Sequence, residues 1–190
     1  MDIQTFNAMD FFTSYCKYVE DLPLDNPHRV YHDTEYGFPI ESDDELFERL
    51  VLEINQAGLS WITVLKKKEN FRRAFDNFKV AKVAAYDTPD MERLLNDAGI
   101  IRNRQKIKAA IHNAKVILEI QKEHGSFKNW LDANYPKSLE EWTALFKKTF
   151  TFTGREIVNE FLLSISYLPG SHNEDCEIYQ KIRNHPGFRS

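Results

Sequence analysis

SDDELFERLVLEINQAGLSWITVLKKK, residues 42–68, is the stretch that decides how this chain folds. Ser42 followed three residues later by Glu45 is a capping-box signature, which satisfies the free N–H groups at a helix start. From there Leu46, Phe47, Leu50, Val51, Ile54 and Ala57 recur at helical spacing, and Gly58 supplies a stop. One residue breaks the pattern. Glu53 stands at helical spacing from Leu46, Leu50 and Ala57, which puts a carboxylate at the border of the apolar face, just ahead of a Gln-Ala-Gly-Leu-Ser-Trp turn. Ser60 can cap the next helix, whose apolar stripe is Trp61, Val64, Leu65, Phe71, Phe75 and Phe78, with Lys66, Lys67 and Lys68 along it.

The same signals recur downstream. Thr88-Pro89 starts a helix with Pro at its first helical position, and Gly99 stops it. A long helix follows from about Arg104, with Ile107, Ile111, Ala114 and Leu118 turned inward. Ser126, Ser138 with Glu141, and Thr153 with Glu156 mark three more starts, and Pro136 and Pro169-Gly170 interrupt the chain. There is no sustained alternation typical of strands, no repeat and no low-complexity linker. The expectation is an all-α domain spanning residues 1–190, with about eight or nine helices and length enough for two small lobes.

Composition narrows the class. The chain has 190 residues, 42% hydrophobic and 13% aromatic. No apolar run approaches membrane-spanning length, and the opening MDIQTFNAMDFF has no basic region before an apolar one. The expected setting is intracellular and cytoplasmic, with no membrane partner and a monomeric state. The two cysteines, Cys16 and Cys176, lie near opposite ends and make no disulfide framework. The formal net charge of −4 hides an uneven distribution. Residues 1–60 carry 13 acids against 3 bases, residues 61–115 carry 6 against 13, and residues 116–190 carry 10 against 9. The basic middle third is a candidate anion-facing surface, although solvated helix faces would give the same count.

Three features could carry chemistry. In LLNDAGIIRNRQKIK, residues 94–108, a helix stopped at Gly99 is followed by the short apolar turn of Ile100 and Ile101 and then a basic helix. A helix–hairpin–helix of this form points the free N–H groups of the turn and second helix at a phosphate, with Arg102, Arg104, Lys106 and Lys108 around it. An ordinary αα-corner fits the stretch equally well. His172 and Cys176 form a His-x3-Cys whose spacing suits one metal, yet two ligands are not a site. Finally, RVYHDTEYG, residues 29–37, can bring Tyr31 and Tyr36 beside Glu53 and Trp61. A carboxylate among aromatic rings accepts hydrogen bonds from an exocyclic amine, and the rings stack on a flat, preferably cationic, heterocycle. The alternative is that these aromatics belong to the core and Glu53 is exposed at its edge.

Together YHDTEYGFP, LEINQAGLSWITVLKKKENFRRAF and LLNDAGIIRNRQKI resemble the constitutive 3-methyladenine DNA glycosylase I family. The resemblance runs from about Val30 to Asn113, weakens over 120–150, and returns in KKTFTFTG and the His-x3-Cys. It implies the all-α fold of helix–hairpin–helix glycosylases and hydrolysis of the N-glycosidic bond of N3-methyladenine in alkylated double-stranded DNA, in base-excision repair, with the base flipped into an aromatic and Glu-lined pocket. A zinc-stabilised relative that binds DNA or lesions without cutting is the alternative.

The resemblance also implies residue roles. Glu53 and Tyr31 would recognise and act on the base, Trp61 would stack on it, and Tyr18 and Tyr36 would complete the pocket. Gly99, Ile100, Ile101, Arg102, Arg104 and Lys106 would hold DNA. One structural zinc ion would be bound by Cys16, His32, His172 and Cys176, joining the chain ends. The family commonly has Trp where this chain has Tyr18 and Tyr36, and often Gly where it has Ile54. The DLPLDNPHR segment lengthens the gap between Cys16 and His32. No aspartate or lysine is placed persuasively for harder chemistry, so a monofunctional enzyme without strand cleavage is expected.

Overall fold

The computed structural model describes residues 14–189. The opening MDIQTFNAMDFF, where no leader was expected, lies outside the described residues, as do both ends of the expected 1–190 domain. Among the described residues the structure is all-helical, with twelve α-helices. They are α1 (Tyr15–Glu20), α2 (Pro27–Thr34), α3 (Asp43–Gln56), α4 (Trp61–Leu65), α5 (Lys68–Ala74), α6 (Val80–Ala84), α7 (Thr88–Asn96), α8 (Arg104–His124), α9 (Phe127–Asn134), α10 (Leu139–Thr149), α11 (Arg155–Ser164) and α12 (Glu177–Ile182).

The helix α3 is the axis of the molecule. Ser42 caps it, and every residue from Leu46 to Asn55 is buried. It packs against α4, α6, α8, α9 and α11, so beyond its first turn, where Glu45 is exposed, it has no solvent face. This corrects the amphipathic reading: what looked like its polar side is enclosed as well. Asp43, in its first turn, accepts from the N–H groups of Phe127 and Lys128 at 2.8 and 3.0 Å and so caps α9. The core continues through Trp142, Phe146, Phe127 and Phe161, all fully buried. Burying each such ring removes apolar surface worth about 1.5–3 kcal/mol from water, and this is what holds the short helices together.

Several boundaries differ from expectation. The expected helix from Ser60 to Phe78 is divided. α4 ends at Leu65, α5 ends at Ala74, and Asp76, Asn77 and Phe78 follow with φ of 51°, 55° and 53° in the left-handed region. That turn is held where Asp76 accepts from the Tyr86 hydroxyl at 2.6 Å and where Arg93 donates to the Ala74 carbonyl at 2.8 Å. It lays Phe78 parallel to Phe75 at 5.5 Å and buries it fully. Asp87, rather than Thr88, caps α7, and Gly154, rather than Thr153, precedes α11. Helices α1, α2, α6 and α12 had no counterpart in the sequence reading.

Candidate functional site

Polar side chains buried on α3 need partners, because an unpaired one pays its full desolvation penalty. Glu48 accepts from Arg72 Nε at 2.9 Å. The Asn55 amide donates to the Val51 carbonyl at 2.8 Å. Arg49 donates to the Tyr31 hydroxyl at 2.8 Å and to the carbonyls of Glu35 and Ser164 at 3.4 Å, and it pairs with the Glu35 carboxylate. Glu35 in turn is bound by Lys68. Glu53 is the exception. It is only 4% exposed, and among the described residues no donor reaches its carboxylate. Burial, and then the negative charge of Glu160, push its pKa up to about 8 against a partial offset from Arg49.

An aromatic wall stands around that carboxylate. Tyr31 on α2 is buried, and its ring meets Trp61 edge-on at 5.1 Å and Tyr36 at 5.7 Å. Tyr36 meets Tyr15 at 5.2 Å, and Tyr15 stacks on Tyr18 at 6.2 Å. Trp61 is half-buried at the start of α4, and Tyr18 lies at the exposed outer end of the row. Burial raises the phenol pKa of Tyr15, Tyr31 and Tyr36, so all three are neutral donors. A flat base with a positive charge and an amino edge is what such a site can hold: ring faces for the cation and a carboxylate for the amine. Of the residues the sequence reading grouped, Tyr31 is in ring contact with Tyr36 and Trp61, and the charge of Glu53 reaches Tyr31 and Tyr36. That reading missed Tyr15, whose only signal is its place one residue before Cys16, and it missed Arg49 and Glu160, which look like ordinary helix-face charges.

A second cluster joins the two ends of the described chain. The ligand atoms of Cys16, His32, His172 and Cys176 all lie within 4.8 Å of one another. His172 Nδ1 is 3.2 Å from His32 Nε2, 3.6 Å from Cys16 Sγ and 3.8 Å from Cys176 Sγ. Metal bonds of about 2.0–2.3 Å in a tetrahedron give ligand–ligand edges of about 3.3–3.8 Å, so these four atoms have the spacing of one metal site. The far nitrogens are oriented too. His32 Nδ1 meets Asp33 Oδ1 at 2.7 Å, and His172 Nε2 meets the Tyr36 carbonyl at 2.7 Å. Gly37 completes the fit: its φ is +74°, and a Cβ there would come within 2.9 Å of the His172 ring. The DLPLDNPHR segment fits between the ligands because Asn26 caps α2, so its end is the first turn of the helix that carries His32.

A third region is the turn from Asp97 to Asn103 between α7 and α8. Gly99 N–H donates to Asp97 Oδ1 at 2.7 Å, and Lys67 donates to the carbonyls of Ala98 and Gly99 at 3.0 and 3.1 Å. Asn103 accepts from the N–H groups of Gln105 and Lys106, so those two helix-start donors are occupied. Ile100 is buried, Ile101 half-buried, and Arg102, Arg104 and Lys108 are exposed. Lys106 corrects the expectation that it faces DNA. It is 5% exposed, and its ammonium donates to the carbonyls of Asn55 and Ala57 at 2.9 and 2.6 Å, closing the C-terminal end of α3. The three consecutive lysines also divide: Lys68 is buried on Glu35, Lys67 holds the turn, and Lys66 is exposed.

Comparison with known proteins gives a consistent picture. A family model described as methyladenine glycosylase matches residues 23–144. DNA-3-methyladenine glycosylase 1 of Escherichia coli (strain K12) is 38% identical over 183 residues, covering 86% of this chain and 96% of that protein. DNA-3-methyladenine glycosylase of Haemophilus influenzae is 35% identical, covering 86% and 97%. Among solved structures, a tyrosine-to-phenylalanine variant of 3-methyladenine DNA glycosylase I in complex with 3-methyladenine superposes with a TM-score of 0.75 at 30% identity, over 82% of this chain and 94% of that one. The 3-methyladenine DNA glycosylase I of Staphylococcus aureus, solved for the structural basis of 3-methyladenine recognition, gives 0.73 at 30% identity, over 82% and 93%.

Proposed function

This chain belongs to the methyladenine glycosylase family, and from that premise we propose that it is a DNA repair enzyme hydrolysing the N-glycosidic bond of N3-methyladenine. The observation that carries the reading is Glu53, the one polar side chain on the buried span of α3 that no donor reaches among the described residues, with its charge acting on Tyr31 and Tyr36. The adenine amino edge supplies the missing donor. Tyr31, fixed by Arg49, lends its ring and its polar edge beside it, and Trp61 stacks on the base from the mouth of the site. Tyr36 closes the back of the pocket, and Tyr18 borders its outer end.

Methylation at N3 gives the base a positive charge, which the rings and the carboxylate favour over neutral adenine. A cationic purine is already a good leaving group, so the protein needs only to flip the nucleotide out, hold it in the departing state and admit water. Lys106, committed to two carbonyls, is not available as an amine nucleophile, which supports a monofunctional enzyme acting as one helical domain.

Double-stranded DNA is the partner. Asp97 already accepts from the N–H groups of Gly99 and Ile100, so the phosphate contact beside the turn of Gly99, Ile100 and Ile101 falls to the exposed Arg102 and Arg104. Cys16, His32, His172 and Cys176 hold one zinc ion. The set fits: two thiols and two imidazoles at tetrahedral spacing, each imidazole oriented by an acceptor, with four protein ligands and thus no open position. Bound there, zinc supplies cross-linking rather than catalysis.

The test is base release from a duplex containing a single N3-methyladenine. The expected result is free 3-methyladenine and an intact abasic strand. Binding to the lesion without release would instead identify a lesion-binding relative.

A further inference from the structure

We propose that Glu160, on α11, is a second carboxylate of the base pocket, which sets the pocket's preference for a positively charged purine and the pH range in which Glu53 ionises. The proposal rests on the reading of Glu53 as a base-pocket carboxylate.

Helical register brings the two together. Arg49 and Glu53 are one turn apart on α3, and Glu160 and Ser164 are one turn apart on α11. The helices pack on each other, and Arg49 Nη1 donates to the Ser164 carbonyl at 3.4 Å. One turn along each helix from that contact lie Glu53 and Glu160. The charge of Glu160 is felt accordingly by three groups of the pocket. Its charge is the strongest one acting on Glu53, it is also the strongest acting on Tyr36, and it reaches Tyr15 on α1 as well. Glu160 is half-buried and accepts from the Asn159 amide at 3.1 Å. No cation pairs with it among the described residues, and Glu156 adds a further negative charge from its own helix.

Two carboxylates in one poorly hydrated pocket cannot both be charged without a large repulsion. The groups facing Glu53 are Tyr15 from α1, Tyr31 from α2, Tyr36 from the turn after it, Arg49 from its own helix and Glu160 from α11. Arg49 is already shared among Tyr31, Glu35 and the Ser164 carbonyl, and the tyrosines stay neutral. The empty pocket therefore retains a proton between Glu53 and Glu160 at neutral pH. A cationic base brings the missing positive charge, and the proton leaves to solvent as it enters. Neutral adenine brings no charge, so it cannot displace the proton. Discrimination by charge is thus built into the pair, beyond what one carboxylate gives.

The experiment is kcat/KM for release of 3-methyladenine, measured from about pH 5.5 to 9 for the wild-type protein, Glu160→Gln and Glu53→Gln, because kcat/KM reports ionisations of the free enzyme. The wild-type rate is expected to rise with pH as Glu53 loses its proton. In Glu160→Gln the midpoint moves to lower pH, since a neighbouring negative charge is gone, and the plateau falls roughly tenfold as the pocket's pull on a cation weakens. In Glu53→Gln the limb disappears. A folded Glu160→Gln protein with unchanged midpoint and plateau overturns the proposal. Should that variant not fold, Glu160→Asp withdraws the charge by one methylene, and an unmoved midpoint there overturns it equally. A wild-type protein that releases no base would sink the glycosylase reading instead. The pairing is then read from carbon-13 titration of Glu53, where an identical curve in the wild-type protein and Glu160→Gln overturns it.

Discussion

Glu53 is an acid whose folded pKa, about 8, lies above its ordinary 4.5. Linkage fixes the sign of the consequence. The folded state holds the proton more tightly than the unfolded one, so stability is highest below the ordinary pKa and declines as pH rises toward 8. Glu53→Gln removes that decline. Its melting temperature relative to the wild-type protein is expected to rise between about pH 5 and 8. Excision of N3-methyladenine is expected to fall about ten- to a hundredfold for the loss of one charge-assisted hydrogen bond. Thermal melts across pH beside single-turnover assays check both halves. Full activity with a lower melting temperature would make Glu53 a structural carboxylate. This residue was legible in the sequence because a charge inside an apolar helical run violates its pattern. Arg49 and Glu160 violate nothing: charges at their positions also suit a solvated face, and only packing of α3 against α2 and α11 turns them toward one site.

Among the elements, the long capped helices were readable and the short ones were not. α3, α8, α9 and α10 begin at Ser or Asn caps, and several turns of apolar periodicity follow. The helices α1, α6 and α12 have only five or six residues, too few to be stable by local propensity, and tertiary contacts decide them. The same limit explains the divided helix at Ala74, where a periodic Phe stripe continued in sequence while the backbone turned left-handed. The turn between α7 and α8 allows a contrast between two basic residues four apart. Arg102→Glu should weaken DNA binding regardless of sequence and make its salt dependence shallower, with no change in melting. Lys106→Met should leave two carbonyls at the end of α3 without their donor and lower stability by about 1–3 kcal/mol, with the salt slope unchanged. Salt-dependent binding isotherms and denaturant melts of the two variants separate the roles. A reversed outcome would return Lys106 to the DNA surface.

For the whole molecule, the ligand cluster is what links sequence ends to active region. Cys16 and His172 are 156 residues apart in sequence, and His32 follows directly on Tyr31, so a metal there also fixes the pocket's wall. Metal analysis is expected to give about one zinc per chain. Cys176→Ala, or a strong chelator, should lower the melting temperature more than it alters base recognition. An unchanged melting temperature after verified metal removal would show that the cluster does not hold the ends.

The cluster also determines where the molecule would carry load. Tension applied between the two ends of the chain meets the four ligand side chains before it reaches α3, α8 or the aromatic core, which lie between Cys16 and His172 along the backbone. With the metal in place the helical body is a slack loop behind a closed link, and a gentle pull is borne by the ligand side chains. Breaking that link would transfer the full force at once to α1 and α2 on one side and to α11 on the other. Mechanical failure would therefore begin at the helices next to the cluster, while the central bundle was still folded.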